Sequence, residues 1–186
     1  MALDADQILV PGTGRVLIAA TGTTAPTDTT TAWAAGWKNL GYTTDDGVML
    51  RPNLEVTDIT AWQSFEPVRR VVTSRGLTVA FTLLQMTQEA LQLAFNGGSF
   101  AAGTGITTYT PGSAGSIYER ALGVEAVDGD KIVRLVVPQV DISDVGDIPF
   151  TKTGAANIPL TLAMLNTAGG APFTIIADAD AIEAAA

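Results

Sequence analysis

The stretch Val48-Met-Leu-Arg-Pro-Asn-Leu-Glu-Val-Thr57 alternates apolar and polar side chains almost without interruption. Val48, Leu50, Pro52, Leu54 and Val56 fall on one face, and Met49, Arg51, Asn53, Glu55 and Thr57 on the other. A period of two is that of a half-buried β-strand. Pro52 has no N–H to give to a ladder, which places this strand at a sheet edge or a bulge. Just upstream, Thr44-Asp-Asp-Gly47 carries an Asp-Gly hairpin signal, so residues 42–59 read as strand, turn, strand. Residues 66–84 form a second extended run, in which Leu77, Val79, Phe81 and Leu83 share a face opposite Thr78, Ala80 and Thr82.

Working outward, residues 15–20 form a short apolar strand bounded by Gly14 and Gly22. Strands are also predicted over 118–127, 131–142, 155–165 and 172–177, with a tight turn at Asp128-Gly129-Asp130. One helix stands out, over 88–95. Thr87 caps it, Glu89 suits its first turn, Asn96-Gly-Gly98 ends it, and Leu91, Ala94 and Phe95 form its inward stripe. One short helix among six to eight antiparallel strands predicts a mostly-β sandwich or barrel, one domain over residues 1–186. Residues 21–31, rich in Thr, read as an extended arm without core contacts of its own. Residues 99–115 read as a Gly/Thr-rich loop, and 178–186 as a flexible tail. Trp33 and Trp37, four apart, mark either one helical turn or an anchor that pins the arm.

Composition removes whole classes of chemistry. The chain has no His and no Cys, which excludes His-based triads, thiol nucleophiles, thiolate zinc sites and disulfides. No catalytic residue, cofactor or metal site is assigned. Gly12-Thr-Gly14 lacks the third glycine of a dinucleotide fingerprint and reads as a turn. The formal charge of −9 is the wrong sign for a protein that grips phosphate. Charged residues make up 16% of the chain and apolar residues 47%. So little charge predicts a surface covered by other subunits. The N-terminus has no basic, apolar leader and no stretch is long enough for a membrane helix, so synthesis and folding are expected in a cytosol.

Several segments, in order, carry a family resemblance. Gly22-Thr-Thr-Ala-Pro-Thr-Asp28 leads into Trp33-Ala-Ala-Gly-Trp-Lys-Asn-Leu-Gly-Tyr-Thr-Thr-Asp-Asp-Gly47. Asp58-Ile-Thr-Ala-Trp-Gln63 follows, then residues 71–81 and the passage from Phe81 to Leu91. Together they resemble the major tail protein of long non-contractile-tailed bacteriophages, particularly those of actinobacteria. The motifs span residues 15–100, and the C-terminal half matches by pattern. The resemblance implies a structural virion protein, not an enzyme, without cofactor. Its copies form hexameric rings stacked into a tube through which DNA passes, and it meets tape-measure, tail-terminator and distal-tail proteins.

On that reading Trp33, Trp37 and Trp62 are expected at subunit interfaces, although each also reads as a core residue. Arg69, Arg70 and Arg75 are expected to face carboxylates of a neighbouring chain. Glu55, Glu119 and Glu125 are expected to line the lumen, Glu119 and Glu125 sharing a face because they are six apart. Six copies carry six times −9, or −54, and an acidic wall lets DNA slide where a basic one would hold it. A different class of reading, a secreted or surface β-sandwich that binds a ligand with its loops, predicts an export signal that the N-terminus does not show.

Overall fold

The structure, a computed structural model, describes residues 8–113, 115–167 and 170–182. Ten strands and one helix follow in chain order: β1 (Thr13–Ala20), β2 (Lys38–Asn39), β3 (Thr43–Ile59), β4 (Arg69–Leu83), α1 (Gln88–Ala94), β5 (Gly98–Gly103), β6 (Ile106–Pro111), β7 (Arg120–Asp128), β8 (Lys131–Val145), β9 (Ile158–Met164) and β10 (Thr174–Ala177). Eight belong to one sheet, ordered β2-β1-β7-β8-β9-β4-β3, with β10 beside the first part of β8. All the described pairings are antiparallel. The sheet curls so that Val16 and Ile18 of β1, Val79 and Phe81 of β4, Leu122 of β7 and Leu160 of β9 meet in one core. The predicted mostly-β architecture with one short helix is what forms.

β1 explains its own composition. Val16, Leu17, Ile18 and Ala19 are all buried, so both faces of the strand are covered and the apolar run has no alternation. Val16 and Ile18 face the main core, while Leu17 and Ala19 join Trp37 and Ala121 in a second cluster on the other side of the sheet. The Asp128–Lys131 turn is the tight hairpin that was predicted, with Gly129 at φ 58°.

The helix starts where expected: the Thr87 hydroxyl accepts from the Ala90 N–H at 3.1 Å. It ends as Asn96 and Gly97 turn to positive φ and the Gly97 N–H reaches the Gln92 carbonyl. Its inward stripe is Ala90, Leu93 and Ala94, rotated from the expected set. Leu91 is half-buried and Phe95 is exposed, with its ring tilted toward Tyr109 at 6.2 Å.

Three other expectations are corrected. Residues 42–59 do not reverse at Asp45-Asp46-Gly47. β3 continues along β4, and residues 44–47 loop out of the ladder between the Thr43–Leu83 and Val48–Phe81 pairs. Gly47 takes φ +68°, which here makes an outward bulge because the same partner strand resumes beyond it. Residues 99–115 are not a loop throughout: β5 and β6 form a hairpin in which Phe100 and Tyr109 are cross-strand partners stacked at 4.7 Å. The Tyr109 hydroxyl ties this hairpin to α1 by donating to the carbonyls of Leu91 and Gly97.

The arm is the third correction. It is a strap bound across the outer face of β1, β7 and β8. Arg134 Nη1 donates to the Asp28 and Thr31 carbonyls, each at 2.7 Å. The Thr29 hydroxyl donates to Asp178, which also accepts from the Ile132 N–H. Thus the segment is held by two backbone carbonyls, the Thr29 hydroxyl and the packing of Ala25 on the second cluster, and its few apolar side chains are no obstacle. The same contacts fix Asp178, the first residue of the predicted flexible tail; residues 183–186 of that tail lie outside the described residues.

Candidate assembly surface

β3 and β4 form a long ribbon that outruns the rest of the sheet. β9 pairs with β4 only from Thr78 to Leu83. Beyond Leu77 the ribbon has no third strand among the described residues, and two strands alone are marginal in water. Cross-strand partners lie on one face, so the register separates two unlike surfaces. Arg51 faces Thr78, Asn53 faces Gly76, and Glu55 faces Ser74: this side is polar. On the other side Pro52 faces Leu77, Leu54 faces Arg75, and Val56 faces Val72. That second side continues the core face of Phe81 and Val79 outward, past the body that covers it.

Leu54, Val56 and Val72 are consequently exposed. At the tip, Trp62 is 99% exposed and Phe65 is fully so, with Val68 beside them. The Asp58–Arg70 pair separates the two apolar groups on this face, and exposed apolar groups of this size framed by charge mark a contact surface. β3 is also an edge strand, since β4 is its one described neighbour, as Pro52 foretold. A bulge at Thr73, whose hydroxyl donates to the Glu55 carbonyl, breaks the register between Glu55 and Val56. Such bulges add twist and discourage unwanted edge pairing.

The ribbon also differs in charge. Residues 49–75 hold Arg51, Arg69, Arg70 and Arg75 against Glu55, Asp58 and Glu66, a net +1. With a total of −9, the remainder of the chain carries −10. Of the three arginines expected to meet another chain, Arg70 is engaged at home. It grips Asp58 of its cross-strand partner position with Nε–Oδ1 at 2.7 Å and Nη2–Oδ2 at 3.1 Å. This bidentate pair lowers the Asp58 pKa, first through the hydrogen bond from Arg70. Arg69 and Arg75 make no ion pair among the described residues.

The tryptophans part company. Trp62 stands free at the ribbon tip. Trp33 and Trp37 do not: they meet edge to face at 4.8 Å and cover β1 and β7 within their own chain. Trp37 Nε1 donates to the Thr24 carbonyl and Trp33 Nε1 to Glu125 Oε2, both at 2.9 Å. They are the anchor that pins the strap. Gly123 makes room for them, since a Cβ there would lie 2.5 Å from the Trp33 ring.

Glu125 is likewise not a wall residue. Arg15, Glu125 and Arg134 are register partners on three adjacent strands. Glu125 Oε1 accepts from Arg15 Nε, and Oε2 from Arg134 Nε, each at 2.7 Å. The residue is 7% exposed and the strap covers it, so it cannot look into an open channel. Burial pushes its pKa up, but hydrogen bonds from Trp33 and Arg15 and the charge of Arg15 outweigh that and leave it lowered. Glu119 precedes β7 and is half-buried, and it does not share a strand face with Glu125. Glu55 is exposed on the polar side of the ribbon.

Acid should release the strap. The Asp28 carboxyl, which accepts from the backbone and hydroxyl of Thr31 and from Thr30, is held down at about 2. Asp178 is lowered by the Thr29 hydroxyl and the Ile132 N–H. A carboxyl whose folded pKa is depressed stabilises fully above its unfolded value of about 4, and that contribution is lost as pH falls through the folded value. We expect amide exchange over residues 21–37, corrected for the intrinsic pH dependence, to be slow at pH 6 and to lose protection between pH 4 and 2. Unchanged protection at pH 2 would show that these carboxylates do not hold the strap.

A packed core that extends an uncovered two-stranded ribbon defines a building block, a structural subunit made for contact with further chains. The phage tail tube protein family matches residues 1–186, and the chain belongs to that family. Among solved structures it is similar to a chain of the tail of an empty gene transfer agent particle, refined helically with C6 symmetry. The TM-score is 0.43 at 13% identity, over 89% of this chain and 96% of that one. It is also similar to a chain of the native gene transfer agent virion, at a TM-score of 0.35 and 13% identity, over 95% and 99%. Comparison with the curated proteins gives no significant match. The actinobacterial character of the resemblance has no counterpart in these matches.

Proposed function

We propose that this tail tube protein assembles with itself, through the β3–β4 ribbon, into stacked hexameric rings that enclose a channel for DNA. One observation carries this: the apolar side of the ribbon, Leu54, Val56 and Val72 with the Trp62 and Phe65 tip, is left bare by its own chain. The subunit works by burying this surface on its neighbours and performs no catalysis. Tape-measure, tail-terminator and distal-tail proteins meet the same ring faces at the ends of the tube. The charge division supports a head-to-tail arrangement, because a ribbon of +1 set against bodies of −10 attracts other copies to the ribbon and keeps the bodies apart.

The polar side of the ribbon faces the channel, and Glu55 belongs to its wall, with Glu119 a second acid at the mouth of β7. Glu55 shares this face with Arg51, so its carboxylate offsets a group there that would hold phosphate and keeps DNA mobile; charges beyond a Debye length of roughly 8 Å contribute little. Particles assembled from Glu55→Lys subunits are expected to eject DNA more slowly than wild type, with the difference shrinking as salt rises. Normal assembly with wild-type ejection kinetics at low salt would remove Glu55 from the wall.

A further inference from the structure

The curled sheet does not close. β1 has β7 along one whole side, but on the other side β2 pairs only with Leu17 and Ile18. The first half of β1 therefore looks across a gap at the start of β3, whose outer side is also unpaired among the described residues. The gap is a cleft of about 950 Å³, lined by Gly14 and Val16 of β1, by Thr44, Asp46 and Val48 of β3, and by Ala126 of β7. Its lining mixes the apolar Val48 and Val124 with Arg15, Asn39 and Gln85, and its β3 rim is acidic. The Thr44 hydroxyl is buried there with no hydrogen-bond partner, so the seam is incompletely satisfied within one chain.

We propose that this cleft is the receptor for the ribbon tip of a second copy, with Trp62 and Phe65 seated between β1 and β3. The inference rests on the tube reading above and names the site it leaves open. Size fits: the cleft has the volume of a ligand site, Val48 and Val124 give it an apolar part, and Trp62 and Phe65 are the most exposed aromatic groups among the described residues. Charge fits as well. Arg69, beside the tip and opposite Ile59, has no ion pair among the described residues, and Asp45 and Asp46 stand at the rim.

Geometry decides between a contact within one chain and one between chains. Tip and cleft lie at opposite ends of β3. From Val48 to Ile59 the strand rises about 3.4 Å per residue, roughly 37 Å in all. The tip cannot fold back into its own cleft without dissolving the β3–β4 ladder. A contact between different surfaces of identical chains is heterologous; one whose rotation does not close within a ring continues from ring to ring, and that is the arrangement a stack needs. The repeat along the ribbon is then no longer than roughly 40 Å, the length of the strand that separates plug from socket.

The chain has no cysteine, so an introduced pair reports without background. Gln63→Cys at the tip combined with Asp46→Cys at the rim should, on oxidation of assembled tubes, give a ladder of covalent species extending beyond six chains on a non-reducing gel. A disulfide requires Cα atoms within about 7 Å, and each single variant should give dimers at most. Tubes of normal appearance without a ladder would overturn the cleft assignment and leave the tube reading standing. Wild-type protein that forms no tubes would overturn both. If the cysteine pair itself prevents assembly, a charge exchange decides. Asp45→Arg with Asp46→Arg should abolish tubes and Arg69→Glu should restore them, and absence of either effect would contradict the proposal.

Discussion

Trp62→Ala is expected to leave the subunit folded and to cripple its polymerisation. The side chain is 99% exposed and makes no ring contact or hydrogen bond within its own chain among the described residues. Truncating such a group changes monomer stability by no more than about 0.5 kcal/mol. At a buried interface a tryptophan anchor is worth at least about 2 kcal/mol, roughly 30-fold in the dissociation constant of each contact. Every subunit in a tube makes that contact, so the critical concentration for assembly should rise by a similar or larger factor. Adding Phe65→Ala should deepen the defect. Sedimentation across a concentration series measures it, with thermal unfolding as the control. Normal assembly by the double variant would show that the tip is not a contact; a large loss of Tm would show that it is part of the monomer core.

The second large effect is expected in the monomer itself. Glu125→Ala removes the carboxylate between Arg15 and Arg134. Arg15 is partly solvated and loses little, but Arg134 is 4% exposed and keeps its charge. Its remaining hydrogen-bond partners are the two strap carbonyls, with the Trp33 ring 5.6 Å from its guanidinium and the Asp178 carboxylate acting on it only through space; none of these replaces the carboxylate in contact with it. Leaving one buried charge uncompensated costs about 3–5 kcal/mol, a large part of the about 5–15 kcal/mol that holds a domain together. Tm should fall by roughly 10 °C, and Trp33 should lose its Nε1 acceptor, which a fluorescence shift in a Trp62→Phe background would register. A variant with unchanged Tm and unchanged emission would mean that the cluster is not a structural hub.

These two residues also show where reading the sequence works and where it stops. The alternation from Val48 to Val56 is local, so it identified the strand, its two faces and, through Pro52, its place at an edge. That the apolar face of the ribbon meets nothing is not local. It depends on β9 ending its pairing with β4 at Thr78, a fact about strand lengths far apart in the chain. Glu125 fails the other way. Alternation says which residues share its face, but not that residues 21–37 cover that face. Thr-rich composition advertises few apolar side chains, whereas the strap is held by its carbonyls on Arg134 and by the Thr29 hydroxyl on Asp178. A signal was present: Arg15, Glu125 and Arg134 carry alternating charges on three predicted strands, and Gly123, two residues before Glu125, leaves the place of a side chain open to the Trp33 ring. Reading it needs the register of β1 on β7, in which Arg15 and its partner Glu125 are 110 positions apart.

The Gly47 and 99–115 corrections share a cause. An Asp-Gly pair permits a chain reversal and does not compel one; β3 uses its freedom for a bulge because β4 continues to pair beyond it. In the second case Gly and Thr outnumbered the two aromatic residues, Phe100 and Tyr109, whose cross-strand stacking organises the hairpin.

The central claim, that this tail tube protein builds a hollow tube from its own copies, is tested most directly by electron microscopy of the purified wild-type chain over a concentration series. The account predicts rings of six subunits with an open centre, stacking into tubes as concentration rises, and no tubes under the same conditions for Trp62→Ala with Phe65→Ala. A folded protein that stays monomeric at every concentration, or one whose double variant forms the same tubes as wild type, would contradict it.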